Sequence, residues 1–238
     1  MIIDVDIGNS FAKWRLNGQS HIYRQASASL LDGWQCDLAH ADRVRIANVA
    51  GEAVLASLLA EVCQRCSVVP EVARVAREMG GVEVCYQDEQ RLGVDRWLAM
   101  LAAYRRVAGE CVVVSAGSAL TADWLDASGK HLGGFIAPGR QRMLNALFSD
   151  VANVLKTPAA AEQPDLRLGC TTEACVAGGV SVLLQGFINH VASRSLGAPI
   201  ILTGGDARAM LSVCAQEHKS RVSLVSNAVM DGLAIALP

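Results

Sequence analysis

The sequence predicts an α/β protein in which one strand pattern occurs twice. Short apolar strands and amphipathic helices follow one another throughout the 238 residues, which is typical of the α/β class. A strand–turn–strand–turn–strand pattern begins at Ile2 and returns at Cys111. Hydrophobic residues make up 52% of the chain and charged residues 18%, a composition that favours a globular fold over a disordered chain.

The first copy of the pattern covers the N-terminal residues. Ile2 to Asp6 is a short apolar run, and Phe11 to Leu16 alternates between apolar and charged side chains, so both are predicted strands. Asn17-Gly18 is a strong hairpin signal because both residues tolerate positive φ. A third strand is therefore expected around His21 to Arg24.

The second copy has the same order of elements. Predicted strands run from Cys111 to Val114, from Leu120 to Leu125 and from His131 to Ile136, with small-residue turns between them. The likeness lies in the order of elements rather than in matching residues. It predicts two halves, 1–110 and 111–238, with the final helix a candidate to pack back on the first half.

Helical periodicity and short apolar runs predict the remaining elements. Predicted helices cover 52–66, 94–107, 173–193, 207–216 and 228–237, and predicted strands cover 43–49, 71–77, 199–202 and 222–225. The polar segment 150–167 is expected to form a loop.

Charge and composition exclude several functional classes. The net charge of −2 and pI near 6.2 give no basic excess, so we expect no nucleic-acid partner. No apolar run is read as reaching the roughly 18 residues of a membrane span, and the N-terminus lacks a basic region, so a cytoplasmic location without a membrane partner is expected. The eight cysteines are expected to be reduced thiols, because the chain is long and shows no signal peptide. Cys63-x-x-Cys66 has no second pair to complete a zinc site.

The turn after the first strand carries groups suited to phosphate binding. Gly8 allows backbone N–H groups to face an anion, and Asn9 and Ser10 add side-chain donors. Asp6 can hold a hydrated Mg²⁺ ion, and Lys13 supplies a positive charge for phosphates. An ordinary hairpin turn with Asp as a turn former is the alternative.

The second strand turn offers similar groups in Gly117, Ser118, Thr121 and Asp123. Two such turns could hold a phosphate chain between two lobes. A further motif, Thr203-Gly204-Gly205-Asp206, lies between a strand and a helix, where its glycines would let a nucleobase or ribose approach the backbone. A tight strand-to-helix turn capped by Asp206 explains the same residues.

A fourth motif opens a predicted helix. In Gly93-Val94-Asp95-Arg96 a carboxylate stands beside an arginine, which suits a general base with an anion-binding neighbour. An acidic residue is also common in the first turn of any helix, because it interacts favourably with the helix dipole.

Taken in order, these motifs resemble those of type III pantothenate kinases from end to end. Each motif is weak alone, but six in order are specific. They are Asp6-x-Gly8-Asn9-Ser10, Gly93-x-Asp95-Arg96, Gly117-Ser118-Ala119-x-Thr121-x-Asp123, His131-Leu132-Gly133-Gly134-x-Ile136-x-Pro138-Gly139, Thr171-x-x-Ala174-x-x-x-Gly178 and Thr203-Gly204-Gly205-Asp206.

The resemblance implies a fold of two ribonuclease-H-like halves in the actin-like ATPase superfamily. It implies transfer of the ATP γ-phosphate to the 4′-hydroxyl of pantothenate, the first step of coenzyme A synthesis. Asp95 would be the general base, and Thr171 would reach pantothenate from the neighbouring subunit of a homodimer. The other implied pantothenate contacts are Tyr86, Gly93, Val94 and Arg96. The implied ATP contacts are Asp6, Ile7, Gly8, Asn9, Ser10, Phe11, Ala12, Lys13, Ser118, Gly204 and Gly205.

The implied cofactors are Mg²⁺, held by Asp6 through water with Asp123 as a second candidate, and a monovalent cation, K⁺ or NH₄⁺. The chain departs from the family pattern at Ser115, where the family usually has an aspartate that binds this cation. A hydroxyl offers a neutral oxygen without the charge, so weaker monovalent-cation dependence is expected.

Two other functions stay open at this point. The chain could be a kinase or phosphatase of the same superfamily with another small substrate, since only the Gly93–Arg96 motif, Tyr86 and Thr171 favour pantothenate. It could also be a nucleotide-binding regulatory protein without turnover, which Ser115 favours and the intact Asp6 and Asp95 oppose.

Overall fold

Two five-stranded sheets with the same strand order organise the protein. The structure is a computed structural model that describes residues 1–16, 23–26, 40–65, 68–149 and 163–238. The chain divides into two compact units. The first unit comprises Met1–Arg106 and Ala228–Pro238, and the second comprises Val107–Asn227.

Strands β1 to β7 belong to the first unit and β8 to β12 to the second. In chain order they are β1 Ile2–Ile7, β2 Phe11–Leu16, β3 Tyr23–Ala26, β4 Arg43–Asn48, β5 Glu71–Val72, β6 Glu78–Met79, β7 Val82–Glu83, β8 Cys111–Ala116, β9 Ala119–Leu125, β10 His131–Pro138, β11 Ile200–Thr203 and β12 Val222–Leu224.

The helices connect and cover the sheets. They are α1 Glu52–Arg65, α2 Val94–Val107, α3 Arg140–Ser149, α4 Thr172–Arg194, α5 Ala207–Val213, α6 Gln216–Lys219 and α7 Ala228–Ala236, with a short 3-10 helix at Glu89–Arg91.

The strand order is β3-β2-β1-β4-β5 in the first sheet and β10-β9-β8-β11-β12 in the second. In each sheet the first three strands form an antiparallel meander, and the last two run parallel to the first strand of that meander. The two units are therefore copies of one topology, as the repeated strand pattern predicted.

Alternating side chains of β1 divide the first sheet into an apolar face and a polar face. Ile3, Val5 and Ile7 are fully buried and pack in one core cluster with Leu58 of α1. Asp4, between them, is also buried, and it accepts hydrogen bonds from Arg15 and Arg45. A buried carboxylate is stable here because two guanidinium groups compensate its charge.

The last helix belongs to the first unit. Helix α7 packs against β1 and β4, and a Cβ on Gly232 would lie only 2.1 Å from the carbonyl oxygen of Leu98 in α2. Arg45 donates to the carbonyl oxygen of Leu237 at 2.9 Å, and Arg15 donates to Asp231 at 2.7 Å. These contacts attach the C-terminal segment to the sheet that begins the chain.

Some predicted elements differ from the structure. Strand β5 ends at Val72, and the hairpin β6–β7 and helix α3 were not predicted. The predicted helix 207–216 divides into α5 and α6, because Cys214 is extended and the amide of Ala215 donates to the Asn189 side chain instead of continuing the helix. The predicted Asn17-Gly18 turn lies outside the described residues, as do Cys66 and the first part of the loop 150–167.

Helix α4 corrects one expectation, that no run is long and apolar enough to cross a membrane. The helix Thr172–Arg194 is long and apolar enough for a membrane span by length and composition, and 28% of its most apolar stretch is buried. One face of α4 is part of the core of the second unit, where Leu184, Ile188 and Val191 pack against the sheet. A core helix of a soluble protein passes the same test, so the composition alone is weak evidence for a membrane span.

Candidate active site

The first unit contains the charged residues of two predicted motifs, the turn after the first strand and the start of helix α2. Asp6 stands at the end of β1 directly opposite Lys13 of β2 in the antiparallel ladder, so their side chains share one face of the sheet. Burial raises the pKa of the Asp6 carboxyl to about 6, while Lys13 opposes this shift and the Asp95 carboxylate adds to it. Asp6, Lys13 and Asp95 therefore form one electrostatic cluster.

The turn between β1 and β2 is short and exposed. The amide of Gly8 donates to the carbonyl oxygen of Phe11 at 3.0 Å, and Asn9 and Ser10 project at the tip. Ile7 and Ala12 are fully buried below the turn, so of the predicted ATP contacts they can act only through their backbone. The buried pair supports the turn, and the exposed tip leaves polar groups accessible to a ligand.

Arg24 is a second basic residue at this turn that sequence reasoning missed. It stands opposite Lys13 on β3, and its guanidinium lies 3.6 Å from the centre of the Phe11 ring. No motif in the sequence marks it, because its position depends on the β2–β3 register. The turn therefore has two neighbouring positive charges.

Asp95 lies in the first turn of helix α2, in an orientation that Gly93 permits. Its Oδ1 accepts a hydrogen bond from the amide of Arg96 at 2.9 Å, and a Cβ on Gly93 would lie 2.7 Å from the same oxygen. Arg96 is buried, and its guanidinium donates to the Tyr86 hydroxyl at 3.0 Å. Tyr86, Gly93, Asp95 and Arg96 thus form one local group, while Val94 is buried beside them.

In the second unit, three sequence motifs meet at the turn between β8 and β9. A Cβ on Gly139 would lie 2.0 Å from the carbonyl oxygen of Gly117, and a Cβ on Gly204 would lie 2.2 Å from that of Ala116. Gly204 has a φ of +100°, which favours glycine. The amide of Gly139 donates to the carbonyl oxygen of Ser118 at 3.1 Å. The turn is therefore enclosed by backbone alone, while Gly205 nearby is exposed.

Three hydroxyl side chains form a row beside this turn. Ser115 of β8 is the register partner of Thr121 of β9 and of Thr203 of β11, so all three point to one face of the sheet. The row includes Ser115, the position at which the family usually has an aspartate. It offers neutral oxygens.

Asp123 lies further along β9, fully buried, with its Oδ1 2.9 Å from Nε2 of His131. This pairing favours a structural role for Asp123 over metal binding. Within the described part of the chain, no three His, Cys, Asp or Glu side chains cluster as a metal site.

Thr171 caps the long helix α4. Its hydroxyl accepts a hydrogen bond from the amide of Ala174 at 3.2 Å, and it is exposed. Thr172 follows at the first helical position and is exposed as well.

Comparisons with known proteins agree with the motif order. A family model for type III pantothenate kinase matches residues 2–194. A type III pantothenate kinase of Pseudomonas putida (strain W619) is 37% identical over 253 residues, covering 100% of this chain and 99% of the relative. That of Pseudomonas fluorescens (strain SBW25) is 36% identical over 256 residues with the same coverage.

Solved structures resemble the fold. A Campylobacter jejuni protein proposed to be a Baf family transcriptional activator has a TM-score of 0.60 at 20% identity, over 98% of this chain and 95% of that one. A Sinorhizobium meliloti protein proposed to be a 2-dehydro-3-deoxygalactonokinase has a TM-score of 0.51 at 19% identity, over 99% and 98%. At these identities the likeness concerns the fold alone, and the predicted fold class, an α/β protein of the actin-like ATPase type, is confirmed. With a family model over most of its length and relatives matched from end to end, the chain belongs to the type III pantothenate kinase family.

Proposed function

We propose that the protein is a pantothenate kinase that transfers the γ-phosphoryl group of ATP to the 4′-hydroxyl of pantothenate, the first step of coenzyme A synthesis. The observation that carries this proposal is the meeting of Asp6, Lys13 and Asp95 in the first unit of a chain with this family membership. Phosphoryl transfer needs positioning, charge neutralisation and an oriented nucleophile, and this cluster contains groups for each.

Asp95 is the proposed general base. Its carboxylate is held at the start of α2 by the amide of Arg96, and the missing side chain of Gly93 leaves room for it. In the proposed mechanism the carboxylate accepts the proton of the pantothenate hydroxyl as the oxygen attacks the γ-phosphorus. Arg96 and Tyr86, already joined by a hydrogen bond, bind the pantothenate carboxylate.

Asp6, Lys13 and the exposed turn residues bind the ATP phosphates in this proposal. A partly buried carboxylate whose pKa is raised by desolvation fits a cation ligand, because a cation would relieve the cost of the desolvated charge. Mg²⁺ usually keeps several waters and needs only one or two protein carboxylates. It would neutralise charge on the phosphates, and Asp6 would hold it through water.

Monovalent-cation dependence is the weaker part of the proposed chemistry. Ser115, Thr121 and Thr203 offer neutral oxygens that K⁺ or NH₄⁺ accepts, but the row contributes no negative charge. We expect potassium to activate the enzyme less than it activates relatives with an aspartate at this position.

The proposed assembly is a cytoplasmic homodimer formed through the second unit. Exposed apolar side chains lie on β10 and α4, among them Ile136 at 64% and Leu183 at 60% exposure. Apolar surface of this kind is typical of protein interfaces. A second subunit covering it would also explain why the apolar helix α4 is only partly buried.

The deciding experiment measures ADP release with ATP, Mg²⁺ and pantothenate, with and without potassium. We expect pantothenate-dependent release, and a decrease in kcat of about 10²- to 10⁴-fold in Asp95→Asn. Asp88→Asn is the matched control, because it makes the same chemical change at an exposed residue of the same unit. ADP release at a rate that does not depend on pantothenate would favour another acceptor of the phosphoryl group. Folded protein that binds ATP without any turnover would favour a regulatory function.

A further inference from the structure

Two exposed cysteines lie on either side of the cap of helix α4. Cys170 immediately precedes the N-cap residue Thr171, and Cys175 lies in the first helical turn. Counted from the cap, Cys170 occupies N′ and Cys175 occupies N4. Side chains at N′ and N4 commonly pack against each other across a capped helix start, in the arrangement called the hydrophobic staple.

The contacts of this turn place the Cys175 thiol near the backbone of Cys170. The Cys175 thiol donates to the carbonyl oxygen of Gly169 at 3.3 Å. Because that oxygen is about 2.8 Å from the next Cα by standard bond lengths, Cys175 Sγ lies within about 6 Å of the Cα of Cys170. A Cβ on Gly169 would be 2.5 Å from the amide nitrogen of Cys175, so this stretch lies directly on the helix start.

The other cysteines that the structure describes are either buried or located in the first unit. Cys111 and Cys214 are buried, and burial raises the pKa of the Cys111 thiol to about 11 and also raises that of Cys214. Thiolates are the reactive form, so both thiols are protected. Cys63 and Cys85 are exposed, but they belong to the first unit.

We propose that Cys170 and Cys175 form a reversible intramolecular disulfide that closes the first turn of α4. With oxidised glutathione, one thiolate attacks the glutathione disulfide and releases one reduced glutathione, giving a mixed disulfide. The second thiolate then attacks the protein sulfur and releases the second glutathione. Two thiols are oxidised and one glutathione disulfide is reduced, with both thiol protons passing to the released glutathione.

The disulfide has a consequence for substrate binding that rests on the proposed function. Formation moves Cys175 Sγ away from the Gly169 carbonyl and ties the chain on both sides of Thr171. The hydroxyl of Thr171, which the family resemblance implies as a pantothenate contact, is then held in a turn that cannot adjust to the substrate. The oxidised protein is expected to show a several-fold higher KM for pantothenate, with little change in the KM for ATP.

Mass spectrometry tests the disulfide without reference to activity. The full-length protein is incubated with oxidised glutathione, alkylated and digested with trypsin without reduction. Cleavage after Arg167 and Arg194 gives peptide 168–194, which contains Cys170, Cys175 and no other cysteine. We expect this peptide to lose two hydrogen atoms in mass and to recover them with dithiothreitol.

Matched variants identify the pair. Cys170→Ser and Cys175→Ser should each abolish the mass loss, and Cys63→Ser should retain it.

Separate glutathione adducts on both cysteines, a cross-link to another peptide, or a bond between subunits on a non-reducing gel would overturn the proposal. A disulfide that leaves the pantothenate KM unchanged would overturn its effect on the substrate. Absence of pantothenate activity in the reduced protein would contradict the proposed function alone, because the mass measurement would still decide whether the disulfide forms.

Discussion

Asp6 of β1 lies directly opposite Lys13 of β2, yet burial dominates the titration of this carboxyl and raises its pKa to about 6. The charge of Lys13 therefore does not compensate the loss of hydration at the end of β1. A desolvated carboxylate with a raised pKa is typical of a functional site, where a bound ligand supplies the positive charge that the protein lacks.

Replacing Asp6 with Asn should stabilise the ligand-free protein. The folded-state pKa lies above the ordinary value of 3.8, so the folded state keeps its proton more tightly, and stability falls as pH rises between about 4 and 6. Above this range the ionised Asp6 carboxylate lowers the free energy of unfolding by at most about 3 kcal/mol, and Asp6→Asn should remove this loss. Urea unfolding from pH 4 to 8 measures the effect. Parallel stability curves for the variant and the wild type would contradict it.

Gly139→Ala should disturb the β8–β9 turn. The new methyl group would overlap the carbonyl oxygen of Gly117 and the backbone of Ser118, and crowding of this kind costs about 1–3 kcal/mol. Denaturant unfolding measures the loss in the free energy of unfolding. Equilibrium binding measures the accompanying decrease in affinity for ATP. Gly109→Ala is the control, because its Cβ would meet no atom within 4 Å. Equal effects of the two substitutions would disprove this role of Gly139.

Thr171 at the cap of α4 should contribute to both stability and substrate binding. Thr171→Val removes the capping bond to Ala174 and should cost about 1 kcal/mol of stability. It should also raise the KM for pantothenate, because Thr171 is the threonine that the family resemblance implies as a pantothenate contact. Thr172→Val is the control, because it leaves the cap in place. Thermal unfolding and steady-state kinetics on both variants measure the two effects, and an unchanged pantothenate KM in Thr171→Val would remove Thr171 from the proposed site.

Leu183→Glu should weaken the proposed homodimer. Leu183 is 60% exposed on α4, and a charge there would be buried in the interface on association. Sedimentation velocity over a range of concentrations should show monomer for this variant and dimer for the wild type. Val69→Glu, at an 82% exposed residue of the first unit, should sediment as the wild type does. A wild-type protein that is monomeric at all concentrations would exclude the dimer.

Much of the architecture could be predicted from the chain because its signals are local. Period-two alternation marks β2, and helical spacing of apolar residues predicted α2 from Val94 to Val107, as the structure has it. The order of six short motifs was sufficient to identify the family. Helix α3 was not predicted because half of its ten residues are polar, and its burial depends on Leu144 packing with Val180 of α4.

The sequence by itself determined the element types, the repeated strand order and the residues that carry the proposed chemistry, because propensity, periodicity and motif order act over short distances along the chain. Only the tertiary structure decided which of these residues meet. It brought the Asp95 carboxylate within electrostatic reach of Asp6, enclosed the second turn between Gly139 and Gly204, and paired Asp123 with His131. Strand register, burial and the approach of distant backbone segments set these relationships, and all three arise from long-range packing.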